Sequence, residues 1–228
     1  LRCVILQRME NNSVNWWETL LETALHLHWA EVGAVVFGVA YILLAARENI
    51  WCWLFGILGS ALSIYLFVLS KLYAESALYF YYVLAGVYGW WSWTHDRDAD
   101  ADHQMSITTW PRARHLLIVL LGIGASLGLA FFLQRYTDAQ LPLIDAHTTI
   151  FSFIATYLVT RKVLSNWIYW IVIDAVSIGL YAGRGLYLYA LLMAAYSVIA
   201  VYGYRAWRQT YRSGKAKEKT SARKSARS

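Results

Sequence analysis

A stretch that occurs twice constrains this chain more than any other feature. Displacing Trp53–Trp93 by 114 positions, without a gap, puts Trp53 on Trp167, Ser63 on Ser177, Ile64 on Ile178 and Leu72-Tyr73 on Leu186-Tyr187. The match runs on through Tyr82 on Tyr196, Val87-Tyr88-Gly89 on Val201-Tyr202-Gly203 and Trp93 on Trp207, and back to Arg47 on Arg161 and Phe37 on Phe151. Apolar sequence can match by composition alone, but aligned Trp, Tyr and Gly positions point to duplication. A repeat fixes the architecture before any local reading begins.

Composition then decides the solvent. Of the 228 residues 59% are hydrophobic and only 15% charged, against about 25% charged in a soluble domain. The charges gather in short clusters between long apolar runs, which describes a polytopic membrane protein with the bilayer as its partner. The net charge of +6 does not argue for nucleic acid. Most of the excess lies from Arg205 to Ser228, and a basic segment beside a membrane is a topology determinant. Cys3 and Cys52 give no disulfide framework.

A spanning helix needs about 20 mostly apolar residues, and the sequence offers seven: 28–46, 50–70, 74–93, 115–133, 142–160, 166–183 and 186–207. The fold class is therefore an all-α membrane protein. Residues 28–93 form one three-helix repeat, 115–133 a linker helix and 142–207 the second repeat. This three-one-three plan of parallel repeats is shared with SWEET transporters. Residues 1–27 show no signal peptide and include an amphipathic helix over 15–27, suited to the interface. Leu1 is an unusual first residue: either the chain is trimmed before it or translation begins at Met9. Residues 94–114 read as a solvated loop, and 208–228 as a basic tail, disordered by composition from Ser213. Fifteen of the twenty Lys and Arg residues fall on one side of these spans. That side is the cytoplasm by the positive-inside rule, which leaves the N-terminus periplasmic.

The residues that could carry function lie in the helices. Trp167, Trp170, Asp174, Ser177 and Tyr181 recur at steps of three and four, so they share one face. A carboxylate this deep costs a few kcal/mol to insert unless it meets a partner, water or a ligand. Asp174 either holds helices in register or binds something. The equivalent stripe in the first repeat is Trp53, Gly56, Ser60, Ser63 and Phe67, with small residues where the second copy has Trp and an acid. Tyr79, Tyr82 and Tyr196 are candidate pocket walls, and Thr148, Thr149, Ser152 and Thr156 give the fifth span a hydroxylated face. Gly86 and Gly89 suit close helix approach, while Trp90, Trp91, Trp93 and Trp207 read as an interfacial aromatic belt. The candidate substrate site is thus Trp53, Tyr79, Tyr82, Thr149, Trp167, Trp170, Asp174, Ser177 and Tyr196. Stacked aromatics, hydroxyls and one acid suit a flat heteroaromatic ring with a sugar-like part, each aromatic contact contributing about 0.5–2 kcal/mol. His95 and His103 have no ordered partner, so no metal is expected, and no cofactor is implied.

Trp51-Cys52-Trp53 after Asn49, then Leu72-Tyr73, then Tyr88-Gly89-Trp90-Trp91-Ser92-Trp93, resemble the PnuC family of vitamin transporters. So do Asn166-Trp167 leading through Asp174 to Tyr181, and Tyr202-Gly203 to Trp207. The likeness covers about residues 28 to 207. It implies facilitated uptake of nicotinamide riboside, an NAD precursor, across the bacterial inner membrane, with a cytoplasmic ribosylnicotinamide kinase trapping the product and no cofactor in the carrier. Family members that take this substrate typically have Gln in the third span, where this chain has Tyr79. Thiamine or another vitamin is the alternative that departure leaves. The apolar outer faces are compatible with a monomer or a homo-oligomer.

Other seven-span classes fit less well. A retinal protein needs a Schiff-base lysine in its last helix, and residues 186–207 contain none. An intramembrane hydrolase needs a metal or nucleophile constellation, and His147 stands alone. A sugar facilitator would need fewer ring-stacking aromatics.

Overall fold

The computed structural model describes residues 29–69, 73–95, 105–137, 141–183 and 185–225. The expected amphipathic segment at 15–27, residues 70–72, His103 with most of the acidic stretch, and Arg184 lie outside them. The described residues form seven helices: α1 Trp29–Ala46, α2 Cys52–Leu69, α3 Tyr73–Thr94, α4 Arg112–Tyr136, α5 Pro142–Thr160, α6 Asn166–Gly183 and α7 Tyr187–Ser225. By length and composition α1, α2, α4, α5 and the Tyr187–Ala216 part of α7 can each cross a membrane. Helices α3 and α6, of 22 and 18 residues, are less apolar because they carry the tyrosines, the tryptophans and Asp174.

Neighbouring helices pack in sequence within each half, and the halves meet through α1 against α7 and α3 against α5. The result is a ring of six helices with α4 packed outside on α5, consistent with the three-one-three plan. The two junctions are equivalent under the 114-residue shift. One buried cluster joins Ala45 and Ala46 at the end of α1, Trp53 near the start of α2, Trp93 at the end of α3, Val159 at the end of α5, and Trp167 near the start of α6. These helix ends share one end of the bundle (the connection end), as copies pointing the same way require. Away from the ring, Leu116, Leu117, Leu120, Leu121 and Phe131 of α4 are exposed, an apolar surface that only lipid or another apolar face stabilises.

Three expectations are corrected. The tail expected to be disordered from Ser213 is helical to Ser225. It contains no proline, and its Lys, Arg and Ala residues favour helix. The 94–114 connection is not wholly solvated: Met105 and Ile107 are buried. Thr108 bridges the turn after α5, its N–H donating to the Lys162 carbonyl at 3.0 Å and its carbonyl accepting from Leu164 at 2.9 Å. Finally, Trp93 and Trp207 do not belong to an interfacial belt, being 4% and 0% exposed.

Candidate functional site

The connection end is closed by interactions that occur in pairs. The Trp93 indole N–H donates to the carbonyl of Val159 at 3.2 Å, and that of Trp207 to the carbonyl of Ala45 at 3.0 Å. Both donors and both acceptors are related by the repeat, so each half holds the last turn of a helix in the other, where carbonyls lack intrahelical partners. The turns themselves match. Glu48 and Lys162, again equivalent positions, both take positive φ, 57° and 44°. Their N–H groups donate to Ala45 and Val159, while Asn49 and Val163 donate to Leu44 and Leu158. Lys162 is buried, its ammonium 3.1 Å from the Glu48 carboxylate and 4.6 Å from the centre of the Trp93 ring. The duplication has thus placed opposite charges at one site and its copy.

Trp53 and Trp167 lie beneath this layer, 1% and 2% exposed, edge-on to Trp93 and Trp207 at ring separations of 5.3 and 5.4 Å. Each covers a glycine of the third helix of its own repeat. A Cβ on Gly89 would sit 2.4 Å from Trp53, and one on Gly203 2.6 Å from Trp167. Among the described residues neither indole N–H has a hydrogen-bond acceptor.

Deeper in the bundle the stripe on α6 faces inward. Trp167, Asp174 and Ser177 are buried, while Ile168, Val172 and Val176 on the opposite face are exposed. Trp170 and Tyr181 are half-buried. The α2 stripe behaves alike: Trp53, Ser60 and Ser63 are buried, and Leu54, Leu58 and Tyr65 exposed. Asp174 lies seven residues past Trp167, about 10 Å along the helix axis. Among the described residues no hydrogen bond or ion pair reaches its carboxylate, although it is 4% exposed. A carboxylate buried at this depth is costly unless a hydrogen-bonding or charged group meets it.

Tyrosines from three helices surround that level. Tyr79 and Tyr82 meet edge-on at 5.4 Å, and Phe67 packs on Tyr79 at 5.3 Å. Tyr79 lies near Ser63, Tyr82 near Ser152 on α5, and both near Tyr181. Tyr196 lies near Asp174, its hydroxyl against Gly38 of α1 where a Cβ would come to 2.6 Å. Gly38 and Ser152 are equivalent, as are Tyr196 and Tyr82. Each half therefore sends one tyrosine to the first helix of the other, and meets a serine on one side and bare backbone on the other. Thr148 and Thr156 spend their hydroxyls on carbonyls of their own helix; Thr149 is half-buried.

The sequence-derived residues thus fall into two levels. Tyr79, Tyr82, Asp174, Ser177 and Tyr196 belong to the middle of the bundle. Trp53 and Trp167 belong to the closed layer, with Trp170 packed at its margin. Periodicity did not separate the levels, because one helical stripe runs through both.

The family model for nicotinamide mononucleotide transporters matches residues 28–209, most of the chain, from α1 into α7. The chain belongs to this family, whose PnuC members it resembles. Members are membrane transporters rather than enzymes, so the ring is a transport scaffold. The nicotinamide riboside transporter PnuC of Escherichia coli strain K12 is 26% identical over 204 residues, covering 79% of this chain and 85% of that one. The PnuC of Neisseria mucosa is 27% identical over 191 residues, covering 78% and 72%. The riboflavin/roseoflavin transporter RibM of Streptomyces davaonensis is 23% identical over 185 residues, covering 80% and 85%. A crystal structure of the vitamin B3 transporter PnuC shares the fold, with a TM-score of 0.67 at 22% identity over 86% of this chain and 88% of that one. Within this family, Glu48 and Lys162 are the residues that sequence comparison of the repeats passed over. Identity matching finds Arg47 on Arg161 but not an acid on a base.

Proposed function

We propose that this chain carries nicotinamide riboside across the bacterial inner membrane by facilitated diffusion. The N-terminus lies in the periplasm, the C-terminus in the cytoplasm, and a cytoplasmic ribosylnicotinamide kinase keeps the inward gradient alive. The observation that carries this reading is the buried Asp174, which no hydrogen bond or ion pair from a described residue reaches, beside Tyr196 and within a ring of tyrosine faces and serine hydroxyls. Nicotinamide riboside presents a flat cationic ring and ribose hydroxyls. Aromatic faces hold such a ring by stacking and cation–π attraction, a carboxylate complements its charge, and the hydroxyls answer the sugar. The names of the E. coli and N. mucosa relatives point the same way.

A second reading is favoured by the likeness to RibM and by Tyr79: a larger ring system with a polyol chain, of the riboflavin kind, would use the same tyrosines with less need of the acid. Uptake into liposomes of labelled nicotinamide riboside, riboflavin, thiamine and glucose, offered in parallel, separates the readings. Preference for nicotinamide riboside, lost in Asp174→Asn, supports the first. Preference for riboflavin, retained in Asp174→Asn, replaces it by the second.

In this reading the layer at the connection end is the closed inner door. Substrate at the level of Asp174 leaves toward the cytoplasm only when Trp93 and Trp207 release the opposite helix ends and Glu48 parts from Lys162. Opening then separates the halves as bodies at that end, as expected for parallel-repeat transporters.

A further inference from the structure

A cavity of about 610 Å³ opens at the connection end outside the ring and is lined by Met105, Ser106, Thr108, Trp110, Arg114, Tyr157 and Arg161. Its position differs from that of the Asp174 site: the walls come from the connection before α4, the first turn of α4 and the last turn of α5. They are held in fixed relation. Thr108 is tied on both sides to the turn carrying Lys162, and Trp110 packs on His115 and Tyr157 at ring separations of 6.2 and 6.4 Å. His115 is itself anchored between Ser165 and Tyr169.

The chemistry of the lining is one-sided. Among the described residues the lining holds two guanidinium groups and no carboxylate, and no acid pairs with Arg114 or Arg161. Arg114 lies over the Trp110 ring at 4.9 Å, so its stacked face is used while its N–H edges remain available. Planar guanidiniums bind phosphate oxygens bidentately, and Ser106 and Thr108 add hydroxyl donors. The volume falls within the range of about 300–1,000 Å³ seen for small-molecule sites, more than a bare anion needs. Trp110 and Tyr157 offer aromatic walls for an attached group.

We infer that this cavity is a binding site for a phosphate ester, distinct from the transport site and independent of which vitamin the transporter carries. Two sources present that chemistry at a membrane surface, a nucleoside monophosphate from solution and the headgroup of an anionic lipid. Full-length protein in phosphatidylcholine nanodiscs, titrated with AMP by calorimetry, tests the first. Native mass spectrometry of phosphatidylglycerol retained from mixed bilayers tests the second. One arm or the other should show one-to-one binding, weakened about tenfold or more by Arg161→Ala and by Arg114→Ala and reduced by added salt. Ser106→Glu places a negative charge on an exposed rim position. It should abolish the same binding without disturbing the fold, which keeps the test decisive should an arginine variant fail to assemble. Absence of both AMP and phosphatidylglycerol binding, or binding unchanged in Ser106→Glu and in whichever arginine variants fold, overturns the assignment.

Discussion

Gly89 and Gly203 show how a single missing methyl group sets the position of a helix. Each faces an indole so closely that any Cβ would overlap ring atoms of Trp53 or Trp167, at 2.4 and 2.6 Å, and neither ring can move because Trp93 and Trp207 stand edge-on behind them. Overpacking of this kind costs about 1–3 kcal/mol. Gly89→Ala and Gly203→Ala should therefore each lower the thermal unfolding midpoint of the detergent-purified protein. Gly179 on α6 has nothing within 4 Å of its missing Cβ, so Gly179→Ala should leave the midpoint unchanged or raise it, since Ala is favoured over Gly in a helix by about 1 kcal/mol. Equal losses at all three positions would show that the indole contacts are not what the two buried glycines serve. The sequence showed the matched Trp and Gly positions and the need for close approach. Which ring met which glycine required the fold, because the partners lie 36 residues apart on helices whose rotation is set by packing.

At the scale of the element, the two turns after α1 and α5 are one design used twice, and their charges are unequal in environment. Lys162 is 2% exposed and Glu48 20%. Removing the acid leaves a buried ammonium without its counter-charge, whereas removing the base leaves a carboxylate that water can still reach. Glu48→Gln should thus destabilise more than Lys162→Met, by about 3 kcal/mol for the former, read as the difference in unfolding midpoint. The exchange Glu48→Lys with Lys162→Glu should recover much of the loss, since the repeat makes the two positions geometrically alike. Failure of the exchange to exceed either single variant would mean that the pair is not held by its mutual attraction. The helical stripes on α2 and α6 and the ends of α1, α5 and α6 were legible from periodicity and terse linkers. The Glu48–Lys162 pair was not, since complementary residues leave no trace in a search for identical ones. Trp93 and Trp207 were misjudged because their place near the helix ends suggested a lipid interface, when the carbonyls of Val159 and Ala45 in the opposite half were their partners. The helical tail was misjudged because composition reported charge and polarity, while the absence of proline allowed α7 to continue.

For the whole molecule, the proposed transport asks two halves joined by paired contacts to part at one end. Cysteines introduced at Glu48 and Lys162, in a background lacking Cys3 and Cys52, and bridged by a short thiol-reactive cross-linker, should stop uptake, while the unbridged variant retains measurable uptake. Undiminished uptake after complete cross-linking would remove this layer as the inner door. The duplicated ring, the inward stripe of α6 and the family were all readable from the chain before any coordinates. The separation of the site into a closed tryptophan layer and a tyrosine level around Asp174 was not, since residues on one helical stripe differ only in depth. The central claim is that Asp174 binds a cationic ring at that level and that the scaffold equilibrates it. It is tested most directly by uptake of labelled nicotinamide riboside into empty proteoliposomes. The expected result is entry that stops at equal concentrations inside and out, with no response to an imposed proton or sodium gradient, and an initial rate at least about tenfold lower in Asp174→Asn at equal protein incorporation. Wild-type entry that matches protein-free vesicles, an undiminished rate in Asp174→Asn, or accumulation above equality driven by either gradient would contradict it.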